Sequence, residues 1–190
     1  MARVAVVYHS DGGHTKILAE AVHEGAASVD GTDAQLHAID RRAIVEGRFA
    51  DEPLLAALDA ADAIVLGCPT YMGGVSGPMK AFVDATLGRW AKRTWSDKLA
   101  AGFTVSSTPS GDKLNTLMGL QVAAMQLGMI WVGLDQSPLN PQGLNRLSFY
   151  LGVGGQAQYG GAEVAIDPGD RATGVVFGAR IARLANRLAA

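Results

Sequence analysis

A single cysteine, Cys68, stands in a chain of 190 residues, so no internal disulfide can form and the composition fits a reducing compartment. Net charge is nearly absent as well: 16 Lys and Arg against 18 Asp and Glu leave −2. That balance argues against a nucleic-acid surface, and Arg41-Arg42 and Lys92-Arg93 are pairs on solvated faces rather than a basic cluster. Long apolar runs are missing too. After Arg3 the first one stops at Tyr8, too short for an export signal or a membrane span, so the expectation is a cytoplasmic protein with no membrane partner. There is no solenoid-period repeat and no low-complexity tract. His9, His14, His23 and His37 lack the spacing of a metal site, and no metal is expected. Neither a Walker Gly-x-x-x-x-Gly-Lys-Ser/Thr nor a Rossmann Gly-x-Gly-x-x-Gly occurs.

What is present is concentrated at the start. Val4 to Tyr8 is a short, β-rich apolar run of the kind a buried parallel strand needs, and from Lys16 the spacing turns helical, with Ile17, Leu18, Ala21 and Val22 on one face. Between them lies Ser10-Asp11-Gly12-Gly13-His14-Thr15. Two glycines allow successive N–H groups to turn toward one point at a helix N-terminus, where the helix dipole favours an anion and Ser10 and Thr15 offer hydroxyls. A phosphate monoester such as that of flavin mononucleotide (FMN) fits this loop better than a dinucleotide. A strand-to-helix turn that binds nothing is the competing account of the same residues.

The rest of the chain alternates strand and helix. Gln35–Ile39 is a weak second strand, Ala63–Leu66 a buried third, Ala101–Val105 the fourth and Met129–Leu134 the fifth. Helices are expected from Pro53, from Pro78 to Leu87, from Asn115 to Leu127 and from Arg171 to Leu188, while 89–97, with Trp90 and Trp95, reads as a polar connection. Asp135 to Ile166, with Pro138, Pro141 and six glycines, reads as a long loop. Five such alternations in one domain, 1–190, predict a doubly wound parallel sheet whose ligand sits beyond the carboxyl ends of the strands. Loops at Gly67–Pro78 and Ser106–Asp112 fall where that rule places them.

These residues carry a resemblance. The first loop, the run GCPTYMGGVSGPMKAF from Gly67 to Phe82, the phrase Gly88-Arg89-Trp90-Ala91-Lys92, the Gly128-Met129-Ile130 junction and the segment Gly154 to Gly160 resemble the WrbA-type NAD(P)H:quinone oxidoreductases of the flavodoxin-like superfamily. The resemblance implies a flavodoxin-like three-layer sandwich with a five-stranded sheet of order 2-1-3-4-5, non-covalent FMN, and a homodimer or homotetramer that completes the site between subunits. It places the cofactor on Ser10, Gly12, Gly13, His14 and Thr15; on Pro69, Thr70, Tyr71, Met72, Gly73 and Gly74; and on Ser106, Ser107, Thr108, Pro109, Ser110 and Gly111. Trp90, Met72, Leu127 and Tyr159 become candidates for a wall against the substrate.

Departures from the family fall on the side where substrates dock. Gly12 stands in place of a loop aromatic, Tyr71 in place of an arginine, Met72 in place of an aromatic, and Gln126-Leu127 in place of a histidine pair. The expected activity is two-electron reduction of a quinone or related aromatic acceptor by NAD(P)H, by hydride transfer through the flavin N5, with the chemistry supplied by the cofactor. A flavodoxin-type electron carrier is the alternative, though its customary acidic face is missing here. An FMN enzyme of secondary metabolism with a specialised aromatic substrate is another.

Overall fold

A computed structural model describes residues 1–158 and 165–189. In chain order the elements are β1 (Ala2–Tyr8), α1 (His14–Ala27), β2 (Thr32–Ala38), a 3₁₀ turn (Arg41–Ala43), β3 (Ile44–Val45), β4 (Arg48–Phe49), α2 (Glu52–Asp59), β5 (Ala63–Tyr71), β6 (Gly74–Val75), α3 (Gly77–Ala85), α4 (Leu87–Lys92), β7 (Leu99–Ser106), α5 (Lys113–Gln126), β8 (Ile130–Trp131), β9 (Val153–Gln158), β10 (Ala165–Ile166) and α6 (Pro168–Leu188). The long strands lie in the order β9-β7-β5-β1-β2 with every pairing parallel, which is the expected 2-1-3-4-5 arrangement. β6, β8 and the antiparallel β10 add short rungs to the same sheet.

Alternation along β1 explains the three layers. Val4 and Val6 point into a core shared with Leu18 and Val22 of α1 and Phe177 and Ile181 of α6. Ala5 and Val7 face the opposite core, with Leu58 of α2, Phe82 of α3 and Leu120 of α5. A strand covered on both sides must be apolar throughout, and β1 nearly is. At the edge, β2 has no fully buried residue. The layer of α1 and α6 is unusually tight. A Cβ placed on Gly178 would lie 1.9 Å from the carbonyl oxygen of Val22, and one on Gly25 would lie 1.8 Å from that of Val175. The two helices meet backbone to backbone because neither glycine carries a side chain.

The fifth strand departs from expectation. Of Met129–Leu134 only Ile130 and Trp131 pair with β7, at Leu99 and Ala100; the chain then leaves the sheet and returns as β9 against Phe103 to Ser106. Residues 135–166 are therefore not one loop. They contain the strand that completes the sheet beside the site, together with β10. Gly154 and Gly155 hid β9 from sequence reading, since glycine ordinarily weakens strands. Here no side chain would fit: a Cβ on Gly154 would meet the Phe149 ring at 2.4 Å. Between the two half-strands, asparagines do the ordering. Asn140 Nδ2 donates to the carbonyls of Ser137 and Leu144, and its Oδ1 accepts from the N–H groups of Gln142 and Leu144. Asn145 Nδ2 donates to the Gln136 carbonyl and its Oδ1 accepts from the Phe149 N–H.

Two smaller differences bear on function. β5 runs on through Pro69 and Thr70, so half of the expected second loop is rigid strand. The segment after Leu87 is helix α4 rather than irregular chain, and beyond it Trp95 is buried with its indole N–H donated to Asp59 at 2.6 Å.

Candidate functional site

The carboxyl ends of β1, β5, β7 and β9 surround a cavity of about 160 Å³. The first loop contributes Ser10, Asp11, Gly12, His14 and Thr15; the end of β5 contributes Pro69, Thr70 and Tyr71; the end of β7 contributes Val105, Ser106 and Ser107; Ala157 of β9 closes the far side. Gly13 adopts φ 87°, in the left-handed region that suits glycine, and serves as N-cap of α1. It offers no side chain to cap the helix, and the first turn of α1 has no acidic residue, so the positive end of the helix dipole faces the cavity.

The hydroxyls are poised as donors. Ser10 Oγ accepts from the Lys16 N–H at 3.2 Å, which leaves its own hydrogen to donate. Thr15 is 2% exposed, lines the cavity, and makes no side-chain hydrogen bond among the described residues. Asp11 would repel an anion, but its carboxylate is engaged: Arg41 Nη1 lies 2.6 Å from Oδ1, and the Tyr71 hydroxyl donates to Oδ2 at 3.3 Å. This arrangement fits the phosphate end of a monoester. Its volume is too small for a whole flavin, since sites for drug-sized ligands run from roughly 300 Å³ upward. The ring of such a ligand would have to lie across the rim.

Behind the loop is a residue that sequence reading passed over. His9 is 1% exposed; its Nδ1 is 2.9 Å from Ser76 Oγ, and its Nε2, 3.4 Å from Asp11 Oδ1, is not aligned for a hydrogen bond. Burial pushes the imidazole below its ordinary pKa, and the Asp11 charge opposes this. Cys68, also buried, is pushed up to about 11 by desolvation, which removes it as a nucleophile. Thr70 Oγ1 sits 2.8 Å from both Thr104 Oγ1 and Thr116 Oγ1, pinning the end of β5 to β7 and α5.

The other expected site residues divide by position. Thr108, Pro109, Ser110 and Gly111 follow β7 beyond the cavity wall, and Met72, with φ 47° and its side chain fully exposed, continues from Tyr71 at the rim. Gly73 and Gly74 come next, the Gly73 carbonyl accepting from Asn115 Nδ2 at 2.7 Å. Trp90 and Leu127 are not at this cavity; together they line a separate shallow groove between α3, α4 and the end of α5. Tyr159 lies outside the described residues. Among the described residues no group of three or more His, Cys, Asp or Glu side chains could hold a metal ion, and no helix is long and apolar enough to cross a membrane.

A parallel sheet of order 2-1-3-4-5 with a cavity lined by the glycine-containing loop after its first strand is the flavodoxin-like arrangement. Residues 2–141 match the family model described as NADPH-dependent FMN reductase. The chain is 38% identical to a protein named flavodoxin FldP from Pseudomonas aeruginosa, over 99% of each chain, and 34% identical to an NAD(P)H dehydrogenase (quinone) from Geobacter sulfurreducens, over 88% of this chain and 86% of that one. Among solved structures, a flavodoxin, WrbA-like protein from Agrobacterium tumefaciens superposes with a TM-score of 0.77 at 41% identity, covering 98% of this chain and 99% of its own. The chain belongs to the NADPH-dependent FMN reductase family, in its WrbA-type branch, and is an FMN-dependent oxidoreductase.

Proposed function

We propose that the protein reduces a quinone or related flat aromatic acceptor with NAD(P)H, using FMN held at the cavity beyond β1. The observation that carries the reading is the donor set there, the start of α1 behind a glycine N-cap with the Ser10 and Thr15 hydroxyls free to donate. When bound, FMN supplies the two-electron transfer between nicotinamide and acceptor. The chain's own part is to bind and orient. α1 and the two hydroxyls hold the phosphate, Pro69 to Gly74 and Ser106 to Gly111 flank the rest of the cofactor, and Tyr71 ties the second loop to the first through Asp11. Met72 offers an exposed apolar surface at the rim to a flat substrate. With dioxygen excluded, protein loaded with FMN is expected to oxidise more than one equivalent of NADH or NADPH only when benzoquinone is present to take up the electrons; turnover no faster than that of free FMN would overturn the reading. Electron carriage is the second reading, favoured by the name of the Pseudomonas aeruginosa relative. A stable blue semiquinone on photoreduction, with negligible quinone turnover, would select it.

The site is completed, in this reading, by a second copy. Outward from α5 point Leu114, Met118, Val122 and Met125, each about half exposed, and the sole charge on that helix, Lys113, is buried. A solvated helix would carry charge on that face. The stripe runs the helix's length, about 21 Å for 14 residues, and continues into the groove beside Trp90. At its other end Asn115 bonds the Gly73 carbonyl, so a partner seated here would reach the rim of the cavity. Met118→Glu combined with Val122→Glu is expected to halve the molar mass in solution or reduce it further, as read by sedimentation equilibrium, with the fold intact by circular dichroism. Unchanged assembly would clear this face. The cellular setting we propose is cytoplasmic, consistent with a lone buried thiol.

A further inference from the structure

Lys113 is fully buried, an exceptional state for a lysine, and it lies at the first position of α5, directly behind the loop that follows β7. Its ammonium donates to the carbonyl oxygens of Thr108 at 2.7 Å and Pro109 at 3.0 Å, and the Phe149 ring centroid lies 5.9 Å away. Two of its three donors are therefore hydrogen-bonded, but the charge is not neutralised. Among the described residues no carboxylate stands within ion-pair distance of Lys113 Nζ. The carboxylate whose charge reaches it, Asp170 on α6, is itself 1% exposed and already accepts from Arg146 at 2.9 Å and from the Gln156 N–H at 2.8 Å. Two backbone carbonyls could have been satisfied by a neutral amide. An unpaired buried cation is costly in general, and such a cost persists where a bound partner supplies the missing charge.

We propose that Lys113 is a positioning residue of the flavin site. It fixes the Ser106–Gly111 loop from behind, and its uncompensated charge makes the site bind reduced, anionic flavin more tightly than oxidised flavin. The inference rests on the proposed function, in which that loop flanks the cofactor. No bond is made or broken at Lys113. Its contribution is a field, strong because the group is out of water, that opposes the field of low-potential carriers and eases acceptance of an electron pair from nicotinamide.

The charge is also conditional. Desolvation pushes Lys113 down to about 8, with Asp170 acting to raise it and Arg146, from the segment between β8 and β9, acting to lower it. Arg146 is in turn paired with Asp167 at 3.0 Å and with Asp170, so those three groups and the loop carbonyls make up the charged surroundings. The preference for reduced flavin should accordingly be present below pH 8 and fade above it.

The test compares wild type, Lys113→Met and Lys113→Arg, using FMN itself as probe. Oxidised FMN affinity is read by fluorescence quenching, and the midpoint potential of bound FMN by dye-coupled reduction between pH 6.5 and 9.5. In Lys113→Met, reduced FMN is expected to lose tenfold more affinity than oxidised FMN, which for a two-electron couple is a midpoint about 30 mV more negative. Lys113→Arg should restore the potential and abolish its extra pH dependence. A Lys113→Met protein that binds oxidised FMN more weakly but keeps the wild-type potential would reduce Lys113 to a structural staple and overturn the electrostatic assignment, leaving the proposed function standing. Wild-type protein that binds no FMN would remove both.

Discussion

Replacing Ser10 by Ala and Thr15 by Val together is expected to weaken FMN binding by two to four orders of magnitude while leaving the fold and its melting temperature nearly unchanged. Each hydroxyl is placed to donate to a phosphate dianion, and a hydrogen bond to a charged group contributes about 1.5–3 kcal/mol, roughly one to two powers of ten in affinity. Ser10 Oγ is oriented by the Lys16 N–H, and Thr15 is buried with no other side-chain partner among the described residues, so neither would need to reorganise when the ligand arrives. Valine preserves the shape of threonine inside the core layer. The measurement is titration of apoprotein with FMN, followed by its fluorescence, for both single variants and the double. Single losses near tenfold or more that combine in the double would bear out the cradle; a double variant within threefold of wild type would mean that the ester binds elsewhere or not at all.

The second large effect concerns stability. Gly178→Ala adds one methyl group to a helix interior, a change that ordinarily helps by up to about 1 kcal/mol. Here the new Cβ would stand 1.9 Å from the Val22 carbonyl oxygen, and its neighbours on both sides are backbone, which cannot rotate away. α1 and α6 would have to separate, opening the core around Leu18, Val22 and Ile181. Overpacking costs about 1–3 kcal/mol and sometimes more, and here the upper end is expected. For a protein of this size that corresponds to a fall in melting temperature of roughly 6–12 °C. Gly88→Ala is the control, because a Cβ at Gly88 meets nothing within 4 Å and the residue sits in helix α4; it should be neutral or slightly stabilising. Equal effects at the two positions would refute the close-contact argument. FMN should protect less well in Gly178→Ala too, since α1 is the helix whose N-terminus forms the cradle.

The features legible in the sequence were those governed by local physics. A strand buried on both faces, a glycine pair and an amphipathic helix are visible within 24 residues, Val4 to Ala27, and the structure builds the cavity on them. The fifth strand was illegible for the opposite reason. A Cβ on Gly154 would run into the Phe149 ring five residues earlier, and one on Gly155 would press on Leu18 and Val105 from distant segments, packing that only the folded chain reveals. The fold between 135 and 152 is held by the side chains of Asn140 and Asn145 rather than by any hydrophobic period. His9 and Lys113 were missed because burial of a titratable group is a property of the packed chain. Lys113 did leave one trace: it is the only charged residue of α5, a lone charge in an otherwise uncharged helix.

The wall supplied by Ala157 has a consequence for biogenesis. Three sides of the cavity come from the first 107 residues, whereas the fourth arrives on β9, after the chain has detoured through the asparagine-ordered segment. During translation the nascent domain would present an open-sided trough, and α6, which seals the opposite layer against α1, emerges later still. Coenzyme capture therefore belongs to the end of synthesis, and supplying riboflavin to an expressing cell should raise the yield of finished protein rather than the speed at which its early strands assemble.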